Sequence, residues 1–393
     1  MITIPPPCND FIPFTQIIAK TFPPPSGIIN VSLNQKRRII KMKKRFLSVL
    51  LCASMAAVSL AACSSGASSS TATTAAPQTT AAQAETTAKA EETTAKTPDA
   101  SGEKLVVGFA QIGQESGWRD AETLSIQTYA SENGDKVELL FADAQQKQEN
   151  QIKAIKNFIE QGVDVIGLAP VVETGWDQVF AEAKEAGIPI ILLDRRADVG
   201  EDLYATFIGS DFIEEGKMAA KEMAKLLGEN GKIVELEGTV GASAATDRKT
   251  GFDDEIKASY PGIEIVASQT GDFTRAQGKE VMESFLKSNK DIKGVYAHND
   301  DMALGAIEAI KEAGLKPGED IKIVSIDGVR GIFEAMAAGE ANCTVECNPL
   351  LGPLLFETAA KLKAGQSVDK WVKSVDGVFT ADMAAKVLPD RKY

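Results

Sequence analysis

From Lys104 onward, short runs rich in Val, Ile and Leu alternate with longer stretches whose apolar residues recur at helical spacing. The apolar runs predict eight strands, at residues 104–110, 136–143, 164–170, 188–194, 232–238, 263–269, 292–299 and 321–327. Helices are predicted between them, among them residues 149–161, 174–186 and 301–313. Because a helix follows each strand, consecutive strands must run parallel, which predicts an α/β protein whose parallel sheets are flanked by helices.

Eight such units could close as one barrel or divide into two open sheets, and the segment ATFIGSD at residues 205–211 favours two sheets. It has the pattern of a short extra strand where a helix would continue the alternation, so it predicts a crossing to a second unit. About 290 residues remain after the N-terminal segments, which suits two lobes of ordinary domain size. Both halves repeat the strand–helix plan, although no convincing sequence repeat accompanies it.

The N-terminal region has the layout of an export signal. Residues 36–45 are strongly basic, and residues 46–62 form an uncharged apolar run of 17 residues that ends in small side chains. This run is short for a membrane span, which needs about 20 residues. It ends in the sequence LAAC, which resembles the lipobox of bacterial lipoproteins and implies that Cys63 is the lipid-modified first residue of the mature chain. The alternative is a plain signal peptide followed by a chance cysteine.

The segments on either side of this signal are expected to lie outside the fold. Residues 1–41 precede a second good start at Met42, so we expect them to be an over-long, non-native extension and residues 42–62 to be the signal peptide. Residues 63–102 are nearly all small or polar and contain no large apolar side chain. Such a segment cannot bury enough surface to offset its ordering entropy, which predicts a disordered, lipid-anchored tether.

Charge and cysteine content exclude several kinds of function. From Cys63 onward, 34 basic and 54 acidic residues leave a net charge of −20. A surface this acidic repels phosphate backbones, so no nucleic acid is expected as a partner. Because His298 is the lone histidine, no metal site is expected. Cys343 and Cys347 lie in a predicted strand, and their separation of ~13 Å is too long for a disulfide.

Aromatic and planar polar residues recur where the predicted strands end. In open α/β sheets, ligands bind beyond the carboxyl ends of the strands, so these positions are candidate ligand contacts. They are Glu115, Trp118, Arg119, Asp194, Arg195, Arg248, Phe273, Asn299, Asp300, Asp327 and Glu346. Aromatic faces pack on the C–H face of a sugar ring, while Asp, Asn and Arg offer paired oxygens or N–H groups to adjacent hydroxyls. The pattern therefore predicts a sugar site that needs no cofactor.

Each of these residues also has a purely structural interpretation. An Asp or Asn at a strand end is commonly a helix N-cap, and Asp194 with Arg195 could be a local ion pair. Trp118 alone could belong to the core. Three further side chains are interpreted as structural: Trp176, Trp371 and His298. What favours a ligand site is the recurrence of many such residues at the same end of two sheets.

At these positions the sequence resembles the type I periplasmic sugar-binding proteins, the ribose/galactose-binding group, and most closely its galactofuranose-binding members. The matching stretches include ESGWRDAE at 115–122, and the specific ones are GDFTR at 271–275 and HNDDM at 298–302. The resemblance implies two Rossmann-like lobes joined by three hinge strands. The implied lobes are residues 103–209 with 347–373 and residues 210–346 with 374–393, and the implied hinges lie near 209–211, 346–348 and 372–376.

The resemblance also implies a role for individual residues. Trp118 and Phe273 would sandwich the sugar ring. Its hydroxyls would be bonded by Arg195, Arg248, Asn299 and Asp327. The cleft would be faced by Glu115, Arg119, Asp194 and Glu346, with Asp300 beside it. Ribose binders carry an amide where Glu346 stands and an Asn where Ala169 stands, so their specificity is not expected to transfer.

The function implied is that of a monomeric extracytoplasmic receptor, which delivers a monosaccharide to the permease of an ABC importer and contacts the membrane only through its lipid anchor. The main alternative is a receptor that feeds a chemoreceptor or a sensor kinase.

A two-lobed repressor would need a basic DNA-binding headpiece, and this chain has an export signal in that place. A glycoside hydrolase would use paired carboxylates, but the arginines among these acids favour their ionised forms, so no catalytic residue is expected.

Overall fold

The strands and helices are those of a computed structural model, which describes residues 103–393. The predicted extension (1–41), signal peptide (42–62), lipidation site Cys63 and tether (63–102) lie outside the described residues. Among the described helices, none is long and apolar enough to cross a membrane.

Strands and helices alternate along the described chain. Its first part comprises β1 (Leu105–Gln111), α1 (Gly117–Glu132), β2 (Val137–Asp143), α2 (Gln148–Gln161), β3 (Val165–Leu168), α3 (Asp177–Glu185), β4 (Ile190–Leu193), a 3₁₀ turn (Glu201–Leu203) and β5 (Thr206–Gly209). The middle comprises α4 (Phe212–Leu227), β6 (Gly231–Glu237), α5 (Ser243–Ser259), β7 (Ile263–Thr270), α6 (Arg275–Ser288), β8 (Ile292–Ala297), α7 (Asp300–Glu312), β9 (Lys322–Asp327), α8 (Arg330–Ala337) and β10 (Cys343–Glu346). The last part comprises α9 (Gly352–Lys363), β11 (Trp371–Lys373), β12 (Val378–Thr380), α10 (Ala381–Val387) and a 3₁₀ turn (Leu388–Asp390).

The strands form two sheets of six strands each, which confirms the prediction of two open sheets rather than one barrel. The order across the first sheet is β2-β1-β3-β4-β5-β11, and every neighbouring pair is parallel. The order across the second sheet is β7-β6-β8-β9-β10-β12, in which β12 runs antiparallel to β10. In each sheet the strand order reverses beside the strand that comes first in the chain, β1 in the first sheet and β6 in the second. Such a reversal opens a crevice at the carboxyl ends of the strands.

The chain passes between the two sheets three times. It leaves the first sheet after β5, returns between β10 and α9, and crosses again between β11 and β12. We call each sheet with its helices a lobe, and the three connections the crossings. The lobe boundaries drawn from the sequence, residues 103–209 with 347–373 and residues 210–346 with 374–393, stay a prediction.

Both faces of the first sheet are covered by helices. In β1, Val107 and Phe109 pack beneath α1 and α9, while Val106 and Ala110 pack on the opposite face beneath α2 and α3. Because both faces are buried, the strands are continuous apolar runs without polar alternation, and this is why the sequence reveals them so clearly.

Two glycines bring α4 and α5 of the second lobe close together. A Cβ on Gly216 would lie 2.4 Å from the carbonyl oxygen of Arg248, and a Cβ on Gly251 would lie 2.1 Å from that of Ile213. The helices can therefore approach this closely only because both positions lack a side chain. Because Gly216 lies against the backbone of Arg248, this contact also fixes the position of the Arg248 backbone and so the origin of its side chain.

The predicted element boundaries agree closely with the structure. All eight predicted strands are present with ends within two residues of the prediction, and segment 205–211 contains β5. Helix α3 begins at Asp177 rather than Thr174 because Gly175, with φ of +88°, cannot belong to a right-handed helix. Strands β11 and β12 were not predicted, since three residues are too few to carry a periodic pattern.

Candidate functional site

A cavity lies between the two lobes, beyond the carboxyl ends of their strands. It encloses about 280 Å³ of space free of atoms, part of it open to solvent. It is lined by Glu115, Ser116, Trp118, Arg119, Asp194, Arg195, Ala244, Arg248, Phe273, Asn299, Asp327 and Cys347. The structure therefore brings together nine of the eleven ligand contacts predicted from the sequence.

Helix caps position several of these residues. The Ser116 hydroxyl caps α1 by accepting a hydrogen bond from the backbone N–H of Arg119 at 3.2 Å, so Trp118 and Arg119 lie in the first turn of α1, the helix that follows β1. Asn299 caps α7 through Oδ1, and its Nδ2 donates to the carbonyl of Phe273 at 3.1 Å. The N-cap interpretation is thus correct for Asn299, although the same residue also lines the cavity.

Three lining residues have backbone conformations that residues with side chains rarely adopt. The angle φ is +62° at Asp194, +60° at Phe273 and +124° at Asp327. Each lies at or just beyond the end of a strand, where the unusual turn places the side chain at the cavity. Strained backbone of this kind persists only where the surrounding structure enforces it, and it is concentrated at functional sites.

In the first lobe, the Arg119 guanidinium is surrounded by carboxylates. It donates to Glu115 at 2.9 Å, to Asp194 at 2.6 Å and also to Glu122. Burial opposes ionisation of Glu115, but the guanidinium groups of Arg119 and Arg195 outweigh it and lower the pKa of this carboxyl. For Glu122 burial prevails over the attraction of Arg119, and it raises the pKa to about 7.

In the second lobe, Arg248 has a similar surrounding. Its Nε donates to Glu215 at 2.8 Å, and its terminal nitrogens donate to the carbonyl of His298 at 2.6 Å and to Asp327 at 3.3 Å. Burial raises the pKa of Glu215 to about 7 and also raises the pKa of Asp327, in both cases against the attraction of Arg248. Each lobe thus presents a buried arginine whose charge is matched by acids, which avoids the cost of an isolated buried charge.

Two aromatic side chains line the cavity from opposite lobes. The Trp118 Nε1 donates to the carbonyl of Cys347 at 2.6 Å, which ties the indole to the second crossing. The ring of Phe273 belongs to the second lobe, and the Arg195 guanidinium of the first lobe lies over it, 5.1 Å from the ring centroid. Aromatic faces beside guanidinium groups suit a small ring that has both C–H faces and polar edges.

Two buried polar atoms at the cavity have no hydrogen-bond partner within the described residues: Glu115 Oε2 and Arg195 Nε. The nearest acid to Arg195 Nε is Asp194, at 3.8 Å, which is beyond hydrogen-bond distance. Buried polar atoms are nearly always paired, so an unpaired acceptor beside an unpaired donor indicates a ligand group that can donate and accept. A hydroxyl is such a group.

Direct contacts join the two lobes at the rim of the cavity. Asp301 of the second lobe accepts from the backbone N–H of Gly117 at 2.8 Å. The backbone N–H of Arg196 donates to the hydroxyl of Ser243 at 2.9 Å, and its guanidinium forms an ion pair with Asp247. The structure therefore shows the lobes closed over the cavity.

Asp300, predicted to lie beside the cleft, does not line the cavity. Its carboxylate accepts hydrogen bonds from the hydroxyls of Ser325 and Thr344 and from the backbone N–H of Val329. Burial raises the pKa of Asp300 to about 7. Because its oxygens accept hydrogen bonds within the second lobe, Asp300 holds the loop after β9.

Glu346, predicted to face the cleft, also lies outside the cavity lining. It forms an ion pair with Arg391 at 2.7 Å and accepts from the hydroxyl of Tyr393 at 2.9 Å. The end of the chain therefore neutralises this carboxylate. No local pattern around Glu346 could have predicted a partner so distant in the sequence.

Several residues at the site were not predicted. They are the lining residues Ser116, Ala244 and Cys347, and the buried acids Glu122 and Glu215. Glu122 could have been found, because it lies three residues after Arg119 on the same helical face. Ala244 has no polar side chain to signal a site, and Cys347 contributes a backbone carbonyl.

The remaining interpretations concern side chains with structural roles. Cys343 and Cys347 are both free and buried, as expected. Trp176 is fully buried in the first lobe, whereas Trp371 is 38% exposed and donates to a backbone carbonyl of β5. Within residues 103–393, no group of three or more His, Cys, Asp or Glu side chains is arranged to hold a metal ion.

Two lobes that close over a buried cavity with aromatic faces and unpaired polar atoms define a class of two-lobed proteins that trap a small polar ligand. Residues 107–367 match the family model described as a periplasmic binding protein domain, and the chain therefore belongs to this family. The predicted two-lobed fold of this family is thereby confirmed.

Close relatives are known for most of the described chain. The galactofuranose-binding protein YtfQ of Escherichia coli K12 is 51% identical over 296 residues, which cover 73% of this chain and 92% of the relative. A Mycobacterium smegmatis structure in complex with β-D-fucofuranose is 54% identical with a TM-score of 0.71, covering 74% of this chain and 95% of that one. A third relative, 50% identical, is the binding protein of the arabinose ABC transporter from Shewanella sp. ANA-3, bound to α- and β-L-arabinofuranose. Its TM-score is 0.71, and the match covers 73% of this chain and 95% of that one. The family and the relative YtfQ are described as binding proteins, which confirms the expectation that the chain is a binding protein and not an enzyme.

Proposed function

We propose that the chain is an extracytoplasmic receptor that binds a monosaccharide of the galactofuranose class and delivers it to the permease of an ABC importer. Three relatives at least 50% identical support this proposal: one is named for galactofuranose, and two have solved structures with a furanose sugar bound. One of them belongs to an ABC transporter, which favours import over signalling through a chemoreceptor or sensor kinase.

The observation that carries the proposal is the pair of unpaired atoms at the cavity, Glu115 Oε2 and Arg195 Nε. A sugar hydroxyl can donate to the carboxylate, and a second hydroxyl or the ring oxygen can accept from the guanidinium. Trp118 and Phe273 lie at the cavity to pack on the C–H faces of the ring. Arg248, Asn299 and Asp327 offer further partners from the second lobe.

Binding drives closure in this proposal because the ligand contacts both lobes. Arg195 approaches it from the first lobe, whereas Arg248 and Phe273 approach it from the second. A sugar that touches both sets binds the closed form more tightly than the open form, and only this difference in affinity can shift the population toward closure.

The ring form is tested with sugars whose rings cannot interconvert. The purified protein is titrated by calorimetry with 1,4-anhydro-D-galactitol, which has a five-membered ring, and with 1,5-anhydro-D-galactitol, which has a six-membered ring. D-Galactose, D-fucose, L-arabinose and D-ribose complete the panel. Tighter binding of the five-membered ring is expected. Preference for the six-membered ring would contradict the furanose assignment, and no binding of any sugar would contradict the function.

The N-terminal sequence supports a location outside the cytoplasm. We propose that residues 42–62 direct export, that Cys63 carries the lipid anchor on the outer face of the cytoplasmic membrane, and that residues 63–102 form the tether. The protein would then act as a monomer that meets its sugar outside the cell and its permease at the membrane surface.

A further inference from the structure

Gly238, directly after β6, lies where the ring of Phe273 needs the space of a side chain. A Cβ on Gly238 would be 2.0 Å from Cζ of Phe273, and 2.3 and 2.4 Å from its two Cε atoms. Non-bonded carbon atoms pack at about 3.5–4 Å, so no side chain fits there while the ring keeps its place. The φ angle of Gly238 is not in the left-handed region, so glycine is required here for space and not for backbone conformation.

Side chains hold the Gly238 backbone from both sides. Its N–H donates to Nδ1 of His298 at 3.2 Å, and its carbonyl accepts from the hydroxyl of Thr270 at 2.7 Å. Because Nδ1 of His298 accepts, the ring proton is on Nε2, which donates to the buried carboxylate of Glu235 at 3.0 Å. The surface on which the Phe273 ring rests is therefore fixed by a buried hydrogen-bond chain.

His298 contacts a second group of the site through its backbone. Its carbonyl accepts from the Arg248 guanidinium at 2.6 Å. Neither Gly238 nor His298 lines the cavity. One buried histidine thus supports both the aromatic surface at Phe273 and the guanidinium at Arg248.

We propose that Gly238 and His298 are positioning residues, which set the place of the Phe273 ring and the Arg248 guanidinium and thereby the affinity for the ligand. The proposal rests on the proposed sugar-binding function. A merely structural role would change stability alone, whereas a positioning role changes affinity in a way that depends on Phe273.

The first test is a double-mutant cycle on Gly238 and Phe273. Calorimetry uses whichever of D-galactose, D-fucose and L-arabinose binds the wild type most tightly. Gly238→Ala is expected to weaken binding ~10-fold or more, whereas Gly134→Ala, whose Cβ would meet nothing closer than 3.5 Å, leaves it unchanged. In the Phe273→Ala background, Gly238→Ala is expected to cost less than about twofold, because the clash is gone. If Gly238→Ala weakened sugar binding as strongly in the Phe273→Ala protein as in the wild type, the proposal would be overturned.

The second test separates the two hydrogen bonds of His298. His298→Asn keeps an acceptor near the Gly238 N–H, whereas His298→Gln places its amide farther out, near Glu235. Sugar affinity is measured at a temperature where both variants are folded by circular dichroism. Tighter binding by His298→Asn is expected, and equal affinities would overturn the role of the Gly238 contact.

A third measurement does not depend on any sugar. Crystal structures of the wild type and Gly238→Ala are expected to show the Phe273 ring displaced from β6 in the variant. A ring in the same place in both would overturn the proposal. If the wild type bound none of the sugars, the proposed function would fail, but these two structures would still decide the positioning.

Discussion

Arg195 is a cavity residue of the first lobe that also contacts the second lobe. It follows β4 in the first lobe, lies over the Phe273 ring of the second and keeps its Nε unpaired at the cavity. Charge-assisted hydrogen bonds contribute roughly 1.5–3 kcal/mol, and a lysine ammonium cannot reproduce the planar fork of a guanidinium.

Arg195→Lys is therefore expected to weaken sugar binding by ~10- to 150-fold in calorimetry. The matched control is Arg330→Lys, because Arg330 is half exposed and pairs with Glu334 on the same helix. The control is expected to bind as the wild type does. Unchanged affinity in Arg195→Lys would show that the ligand uses only the positive charge.

Glu215 is expected to give stability a pH dependence. Burial raises its pKa from 4.5 to about 7, so the folded protein binds this proton more tightly than the unfolded chain does. The stabilisation is complete below about pH 4.5 and is lost as the pH rises through about 7. Glu215→Gln removes this titration. The free energy of unfolding of the wild type, measured relative to this variant, should therefore decrease as the pH rises from about 5 to about 8.

Glu235 provides the control for this measurement. Burial opposes its ionisation, but His298 and Lys249 outweigh burial and lower the pKa to about 2. Its stabilisation is therefore present above about pH 4.5 and is lost only as the pH falls through about 2. The stability of the wild type relative to Glu235→Gln, followed by urea denaturation, should therefore not show the decrease expected relative to Glu215→Gln, and a parallel decrease for both variants would contradict the assignment to Glu215.

At the scale of the elements, the close contact of α4 and α5 sets the position of Arg248. Gly251→Ala places a Cβ against the carbonyl of Ile213, at 2.1 Å, and the helices must separate. The cost of such overpacking is about 1–3 kcal/mol, which exceeds the gain of up to ~1 kcal/mol in helix propensity. A lower thermal midpoint and weaker sugar binding are both expected.

Gly331→Ala is the matched helical control. Its Cβ would meet only the flexible end of Leu304, at 3.0 Å, so the thermal midpoint should be unchanged or slightly raised. If Gly251→Ala were as stable as this control, the two helices would not need the contact that the structure shows.

At the scale of the whole molecule, closure should change the shape of the protein. The structure shows the closed lobes joined at the rim through Asp301 and Gly117 and through Arg196 and Ser243. Small-angle X-ray scattering of the wild type is expected to show a smaller radius of gyration at saturating sugar than without it. A constant radius of gyration together with tight binding would contradict the hinged mechanism while leaving the site intact.

Anchoring also concerns the molecule as a whole. Cys63→Ala is expected to abolish incorporation of labelled fatty acid and to release the protein to the medium or leave it unprocessed. Cys52→Ala, which changes a cysteine inside the apolar run, is the control and should still be labelled. Continued labelling of Cys63→Ala would contradict the lipobox assignment.

The sequence by itself determined the α/β class, because strands buried on both faces must be continuous apolar runs, and such runs are visible without any tertiary information. Segment 205–211 favoured two open sheets over one barrel, and the structure has two sheets. The sequence also determined nine of the lining residues, since the carboxyl ends of parallel strands meet at one edge of a sheet. Only the tertiary structure decided that Asp300 is used by the loop after β9 and that Glu346 is neutralised by Arg391. Those contacts join segments distant in the chain, and no local pattern encodes them. The same holds for Gly238, whose missing side chain has meaning only because the Phe273 ring lies against it.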